Sequence, residues 1–377
     1  KCAHIMQLEN GNFAAQPNNR IIWHVNSYTT ENEWPDYKVQ TTYWDAEDGD
    51  WVTESGKYVS SFIKPVFWSP ELCLSVEYLA VSLINRKLVD QAGKDGDNSI
   101  SEKTSIIELS LACALQANKI ESLPGINYQQ IQNESNFFCE AVGAVLENFL
   151  SEQGIHDANA RLCKDKTWRI SWETNEPWVS IIIPNKNSYP LINQLIDSIL
   201  ELTLYPNYEI IIVDNLSDQK QVLDYYETLS RSSKLTIVEY SQNFNYSEAI
   251  NFGSTFSKGE LLLFLNNDMK VLDGDWLNEL VRWALRPEIG VVGTKLVFPD
   301  SSIQHAGIVV GLNGYADHVY MGAPDNYHGL IGSVNWYRNV TAVTGACQMI
   351  RKDLFVELNG YDEKYQIAFS DVDICVR

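Results

Sequence analysis

Glu260-Leu261-Leu262-Leu263-Phe264-Leu265-Asn266-Asn267-Asp268 is the stretch that decides how this chain is read. An unbroken apolar run ends abruptly in two amides and a carboxylate. A short run of this kind suits a strand buried on both faces, as in parallel sheets. Open α/β sheets place their ligands beyond the C-terminal ends of such strands, so an oxygen-rich step there is a candidate site. One carboxylate flanked by side-chain amides can ligate a divalent cation and hydrogen-bond a ribose or sugar. Asn and Asp also favour plain turns, so the step gains meaning only from its surroundings.

The surroundings repeat the pattern. Val179-Ser180-Ile181-Ile182-Ile183-Pro184-Asn185-Lys186-Asn187 reads as a buried strand running into polar residues. A helix follows, with Leu191, Leu195, Ile196, Ile199 and Leu200 at helical spacing. Tyr208 to Asn215 is a second buried strand, ending in Asp214 and Asn215, and a helix follows at Val222 to Leu229. Leu235 to Tyr240 reads as a third strand and Ser247 to Phe256 as a third helix, so that Glu260 to Leu265 is the fourth strand. Strands alternating with helices predict a mostly parallel α/β sheet with right-handed crossovers. Asn185 and Lys186, Asp214 and Asn215, and Asn266 to Asp268 then gather on one edge, where a nucleotide-sized crevice fits. No glycine-rich loop follows the first strand, which argues against a nicotinamide dinucleotide site and against a phosphate-binding P-loop.

Beyond these elements, residues 179–377 resemble the inverting family 2 glycosyltransferases of the GT-A fold. The matching segments are VSIIIPNKN, YPNYEIIIVDNLS, FNYSEAINFG, GELLLFLNNDM, RPEIGVVGTKLVFPDSSIQHAGIVVG, AVTGACQMIRKDLFVELNGYDE and AFSDVDICVR, in the family's order. The resemblance is close to the rhamnosyltransferase-like branch of bacterial surface polysaccharide, or O-antigen, synthesis. It implies a Rossmann-like, mostly parallel sheet flanked by helices. It implies donor contacts from Pro184, Asn185, Lys186 and Asn187 in the first loop and from Asp214 and Asn215 after the second strand. Asn243, Asn245 and Asn251 belong to the same donor set, as do Asn266, Asn267 and Asp268. On the acceptor or sugar side it implies His305, Thr344, Gly345, Ala346, Ser370 and Asp373. Two departures stand out. Asn185 and Asn187 replace the usual Thr and Asp of the first loop, and the metal step is Asn-Asn-Asp. The second leaves Asp268 as the one clear carboxylate for Mg2+ or Mn2+.

The last motif, Phe369-Ser370-Asp371-Val372-Asp373-Ile374-Cys375, puts two carboxylates at a helix start. Helix capping is the bland account of such a placement. By resemblance Asp371 matches the family's general base, with Asp373 orienting the loop or capping the helix. Between these motifs, Val291 to Phe298, Ile303 to Val310 and Thr341 to Cys347 read as strands, the last running into small residues that allow close approach. His305 is a candidate for a phosphate, sugar or acceptor contact, with a hydrogen-bonded structural histidine as the alternative. His318 has the weaker claim of the two.

Composition bounds the class. The 377 residues are 45% hydrophobic and 20% charged, which describes an ordinary soluble globular chain long enough for two domains. There is no apolar run of the length that crosses a bilayer and no signal peptide. The chain begins at Lys1 and stops at Arg377 just after a helix start, as expected of a piece of a longer protein truncated at its C-terminal side. Seven scattered cysteines with no metal-ligand spacing predict reduced thiols in a cytoplasmic protein. A net charge of −21 works against nucleic acid and anionic membranes as main partners, and it requires local cations, Lys186 or a metal, to hold a diphosphate.

Residues 1–157 are less readable and are expected to form a smaller domain, mixed α/β or mostly helical. Trp23, Trp34, Trp44, Trp51 and Trp68 crowd its start, and the alternation from Lys38 to Trp44 predicts short strands. These aromatics are expected to fill a β core, with sugar stacking as the alternative. Residues 71–92, 103–118 and 134–153 read as helices, and Gln91 to Ser101 as a loop. Residues 158–178 are expected to be a lead-in strand to a catalytic domain at 179–377. The expected function is metal-dependent, inverting transfer of a sugar from a dTDP- or UDP-linked donor, with rhamnose as one candidate, to a glycan or lipid-linked glycan. This would take place in the cytoplasm, with peripheral contact at the inner membrane face allowed. The alternatives are a non-catalytic glycan- or nucleotide-sugar-binding module and a nucleotidyltransferase.

Overall fold

The computed structural model describes residues 21–30, 38–45, 50–57, 60–62, 82–84, 86–92, 105–117, 119–131, 140–164, 167–311, 315–329 and 332–377. Expectations for Trp34, Trp68, Cys2, Cys73, Cys139 and residues 71–81 fall outside these. The described residues group into two compact units, one up to Ile170 with Asn326–Asn339, the other Ser171–Asp325 with Val340–Arg377.

In the first unit, Ile21–Thr30 pairs in parallel with Lys119–Ile131, and antiparallel with Ser60–Phe62 and Ser82–Ile84. Lys38–Asp45 and Asp50–Lys57 form an antiparallel hairpin, as the alternation at Lys38 to Trp44 predicts. The helix Glu140–Glu152 buries Val142, Val145, Leu146, Phe149 and Leu150, an i, i+3, i+4 stripe. A second helix, Ser105–Gln116, lies inside the expected 103–118. The reading of 71–92 as one helix is corrected. Among its described residues, Ser82–Ile84 is a strand and Arg86–Ala92 a helix, because the β-bridge to Trp23 captures Leu83.

The second unit carries the alternating pattern. Its elements are β1 (Val179–Asn185), α1 (Tyr189–Leu202), β2 (Tyr208–Asp214), α2 (Lys220–Leu229), β3 (Leu235–Glu239), α3 (Tyr246–Ser254), β4 (Leu261–Leu265) and α4 (Trp276–Ala284). There follow β5 (Val291–Gly293), β6 (Leu296–Val297), β7 (Ile303–His305), β8 (Ile308–Val310), β9 (Ala316–His318), β10 (Cys347–Arg351), α5 (Lys352–Glu357) and α6 (Ser370–Val376). The central sheet runs β3-β2-β1-β4-β10-β5. β1 to β4 are mutually parallel, and β10 is inserted antiparallel between β4 and β5.

Alternate residues of the strands feed two cores, as period-2 geometry requires. Ile181, Ile183, Ile210 and Leu263 pack with Leu195 of α1, Val222 of α2 and Leu280 of α4 on one face. Ile182, Val213, Leu262 and Phe264 pack with Ile250 of α3, Phe355 of α5 and Ile374 of α6 on the other. The sheet is therefore covered on both faces, which is why its strands read as continuous apolar runs. At Gly253 a side chain would sit 2.5 Å from Val213 and 2.8 Å from Ile182, so a glycine there lets α3 lie close on the sheet.

Two expected strands are broken. Val291 to Phe298 divides into β5 and β6, and Ile303 to Val310 into β7 and β8. The second break sits at Gly307, whose φ of +113° suits glycine and whose missing side chain leaves room for Val340. Thr341 to Ala346, expected as a strand, is irregular apart from a bridge between Ala342 and Ile308, and the strand begins at Cys347.

Candidate active site

The order β3-β2-β1-β4 means that the chain winds away from β1 in one direction and then returns to its other side. β1 and β4 therefore flank the point where connections leave in opposite senses, the usual ligand position in an open parallel sheet. The sequence reinforces the opening. Pairing of β1 with β4 ends at Ile182 opposite Phe264, and Pro184, two residues on, has no N–H with which to extend it. Beyond that point lies a cleft of about 740 Å3. Its floor is Pro184, Asn185, Lys186, Asn266 and Asn267. Thr344, Gly345 and Ala346, the turn before β10, and Ile367 to Val372, the approach to α6, form further walls with Phe244, Tyr246, Ile308, Ala316 and His318.

Asparagines set the floor. Asn267 Nδ2 donates to Asn185 Oδ1 over 2.7 Å, tying the ends of β4 and β1 together. Asn185 Nδ2 in turn donates to the Tyr226 hydroxyl over 2.7 Å, and that hydroxyl donates to Asp214 Oδ1 over 3.0 Å. Burial pushes the Tyr226 phenol up, with the Asp214 charge adding to the effect, so it stays a neutral donor. Asp214 also accepts from the Ser217 N–H and hydroxyl. Asn187, in the left-handed region at φ +54°, accepts the N–H groups of Asp218 and Gln219 at the start of α2. Lys186 is exposed on the cleft wall.

Asp371 lies in the first turn of α6, half-buried on the opposite wall. Its Oδ2 accepts the Gly345 N–H at 2.8 Å and its Oδ1 the Val372 N–H at 2.9 Å. Behind it, the fully buried Gln348 amide donates to Val343 O and Asp371 O, and its Oε1 accepts from the Tyr361 hydroxyl. Tyr246 donates to Gly345 O over 3.0 Å, and burial beside Asp371 pushes its phenol far up, so it also stays neutral. The residue preceding α6, Phe369, has a φ of +69°, an unfavourable conformation for an aromatic residue and one that tends to mark functional turns.

The candidate residues thus divide. Asn185, Lys186, Asn266, Asn267, Thr344, Gly345, Ala346, Ser370 and Asp371 share the cleft. Asp214 and Asn215 end a neighbouring strand, and their polar atoms serve the fold. The Asn215 amide donates to Tyr240 O and Gln242 O. Asn245 caps α3 by accepting the Glu248 N–H and also reaches Glu363 O. Asn251 clamps Tyr361 by accepting its N–H and donating to its carbonyl. Asn243 is exposed and its carbonyl accepts from Tyr240. Asp373 does not cap α6. It accepts from Arg377 Nε at 2.8 Å, and Arg377 continues to Leu358 O and Gly360 O. His305 is buried, and it is His318 that reaches the cleft. Sequence reasoning gave His305 the stronger claim to a ligand contact; the β8–β9 register sets His318 opposite Ile308, which lines the same cleft.

The residue expected to hold a divalent cation, Asp268, adjoins the cleft through Asn267 and is not among the residues that line it. Asp268 is exposed directly after Asn267, and among the described residues no hydrogen bond or ion pair engages its carboxylate. No group of three or more acidic, His or Cys side chains suited to a metal occurs among the described residues. One free carboxylate is enough for a cation that draws its remaining ligands from phosphates. The described cysteines, Cys113, Cys163, Cys347 and Cys375, are free thiols, and no described helix is long and apolar enough to cross a membrane.

Over 340 residues the chain is 34% identical to the O-antigen biosynthesis protein RfbC of Myxococcus xanthus, covering 88% of this chain and 26% of that protein. An uncharacterized protein, y4gI, of Sinorhizobium fredii is 29% identical over 359 residues, covering 91% of this chain and 39% of the relative. The chain thus spans well under half the length of either relative. Among solved structures, a mannosyltransferase of Pyrobaculum calidifontis, in complex with GDP-Man and Mn2+, overlaps partially at a TM-score of 0.39 and 21% identity, over 53% of this chain and 51% of that one. The glycosyl transferase family 2 model matches residues 180–358, which makes the stretch from β1 to α5 a domain of that family.

Proposed function

We propose that the second unit transfers a sugar from a nucleotide-diphosphate donor to a hydroxyl of a growing glycan, with inversion at the anomeric carbon. The observation that carries this reading is the placement of Asp371. A carboxylate held by two backbone N–H groups faces, across one cleft, the polar ends of β1 and β4. In this reading the donor lies along Asn185, Lys186, Asn266 and Asn267, and Asp371 receives the acceptor proton. The acceptor oxygen attacks the anomeric carbon from the face opposite the diphosphate. The bond from that carbon to the diphosphate oxygen breaks, and its electron pair leaves with the nucleotide. One base and in-line positioning suffice for such a step. A bound Mg2+ or Mn2+ would offset charge on the departing diphosphate, with Asp268 as its protein ligand. Lys186 supplies a cation on the same side.

The likeness to an O-antigen biosynthesis protein supports a surface polysaccharide as the product. A dTDP- or UDP-linked donor, rhamnose among them, and a glycan or lipid-linked acceptor at the cytoplasmic membrane face complete the proposal. The experiment is a donor screen on the full-length protein with manganese, read by mass spectrometry of acceptor products. Transfer from one nucleotide sugar with an inverted linkage supports the reading. Binding of nucleotide sugars without any product would favour a binding module instead.

A further inference from the structure

Two histidines that the proposed chemistry leaves unused stand in line behind the cleft. The Thr344 N–H donates to His305 Nε2 at 3.4 Å. A ring nitrogen that accepts carries no proton, so His305 holds its proton on Nδ1. His305 Nδ1 lies 3.0 Å from His318 Nδ1, with the rings nearly perpendicular at 80°. Two N–H groups cannot face each other at that distance, so His318 Nδ1 is the acceptor. The neutral His318 ring then carries its proton on Nε2. Burial and the neighbouring His318 lower His305 to about 3, so the inner ring stays neutral. His318 Nε2 has no protein partner among the described residues, and the ring lines the cleft.

We infer that His318 is a ligand-binding residue that donates its Nε2–H to a sugar hydroxyl, and that His305 is a positioning residue that fixes this tautomer. The inference rests on the glycosyl-transfer reading above and deepens it. A protonated Nε2 cannot ligate a metal, which excludes the cation. Apolar side chains form part of the wall that His318 shares: Ile308 lies across the hairpin from it, and Ala316 and Ile367 line the same cleft. One neutral donor beside an apolar wall matches a pyranose, which offers hydroxyls at its edge and C–H groups on its face. A diphosphate is better served at the strand ends by Lys186. The hydroxyl can belong to the donor sugar or to the acceptor sugar, and the two are separable by experiment.

The test has two arms, both on the full chain. In the first, long-range 15N–1H correlation spectra of the imidazoles report which nitrogen of His318 is protonated. We expect Nε2–H in the wild type and a tautomer mixture in His305→Leu, with His305→Gln, whose amide still donates, restoring part of the bias. In the second, isothermal titration with the free nucleotide and with the nucleotide sugar is combined with acceptor kinetics for His318→Ala and His318→Gln. His318 is only half-buried, and His318→Gln, whose amide oxygen can still accept from His305 Nδ1, keeps the buried ring partnered where His318→Ala does not. Loss of one neutral hydrogen bond predicts a loss of about three- to tenfold. The loss appears in nucleotide-sugar affinity if the donor sugar is bound, or in acceptor KM if the acceptor is, with free-nucleotide affinity unchanged and His318→Gln milder. Protonation of wild-type His318 on Nδ1, equal weakening of the free nucleotide, or no change in either sugar measurement would overturn the contact alone. A wild type that binds no nucleotide sugar would overturn the transfer reading, and the sugar contact with it.

Discussion

The Gly345 N–H donates to Asp371 Oδ2 over 2.8 Å, and so joins the acid to the turn that leads into β10. A side chain at Gly345 would meet the Tyr246 hydroxyl at 3.1 Å and Asp371 Cβ at 3.4 Å. The acid is therefore wedged between a turn, a phenol and its own helix, with its free edge toward the cleft. Its orientation is set before any ligand arrives, which suits the proposed role of a base that must meet a hydroxyl.

Asp371→Asn keeps this shape but cannot accept a proton. Turnover should fall about a hundredfold to ten-thousandfold, with nucleotide affinity nearly intact. Asp373→Asn should cost far less activity. Its effect should be on stability, through the weakened pair with Arg377, at up to about 1 kcal/mol for a partly exposed ion pair. Steady-state kinetics and urea melts of both variants decide this. The reverse ranking, Asp373 essential and Asp371 dispensable, would move the base to the other carboxylate.

Asp268→Ala should abolish transfer and weaken nucleotide binding, and Asp268→Asn should behave nearly as badly, because its free carboxylate is the metal ligand of the proposal. Fold stability should not change, since among the described residues no hydrogen bond or ion pair engages that side chain. The check is nucleotide titration before and after chelation. Full-rate turnover by EDTA-treated protein would remove the metal from the mechanism.

Asp214→Ala should act through the fold as well as the donor. It strips partners from Ser217 and Tyr226, and the freed Tyr226 hydroxyl no longer fixes Asn185. We expect a loss of about 1–3 kcal/mol, the usual result of orphaning buried polar groups. Donor KM should rise more than kcat falls, because the floor of the cleft is used alike in ground and transition states. Urea melts alongside donor kinetics test this; unchanged stability with raised KM would instead point to direct contact between Asp214 and the nucleotide.

How much of this was legible beforehand follows from where the physics is local. The strands β1, β2 and β4 announce themselves because both faces are buried, so their positions are apolar up to the polar ends that line or brace the cleft, apart from Ser180 and Glu209, which pair with each other. The placement of β10 between β4 and β5 is not local. Thr341 to Cys347 reads as one more strand, whereas the strand that forms is Cys347–Arg351, and its antiparallel insertion depends on pairing with Leu261–Leu265, far away in sequence. The asparagines show the same limit. Asn185, Asn215, Asn245 and Asn251 look alike in sequence, yet only the first lines the cleft, while the others hold loops. The sequence cannot say which carbonyl each amide will meet. Which of His305 and His318 reaches the cleft is likewise decided by tertiary contact, His305 being buried against Thr344, and not by the residues beside either histidine.

Gln348→Leu tests the buried support behind the base. It removes the donors to Val343 O and Asp371 O and the acceptor for Tyr361, leaving buried polar groups unpaired. Stability should drop by about 1–3 kcal/mol, and turnover should fall with little change in nucleotide affinity. Gln348→Glu, which keeps the acceptor but loses the amide donor, should be nearly as poor. Wild-type kcat in a folded Gln348→Leu protein would show that Asp371 needs no help from this network.

His305 predicts a pH effect whose direction is fixed by its burial. Its pKa is lowered to about 3 in the folded chain, by burial first and by His318 second, against 6.5 for an ordinary histidine. Above about pH 6.5 the folded and unfolded forms are both neutral at this position, and the residue adds no pH dependence. Below that, the unfolded chain takes up a proton that the folded chain refuses. Folding stability should therefore decline as pH falls from about 6.5 toward 3, with a slope of at most about 1.4 kcal/mol per pH unit from this group. Carboxylates titrate in the lower part of that window, so the wild type alone is uninformative. The informative quantity is the difference between wild type and His305→Gln, from urea melts at pH 7.5, 6.5, 5.5 and 4.5. The variant has no proton to refuse, so its curve should be flatter and the two should converge as acid is added. Parallel curves across the window would mean that His305 takes up its proton in the folded chain as readily as in the unfolded one, and the neutral inner ring on which the His318 tautomer depends would be lost.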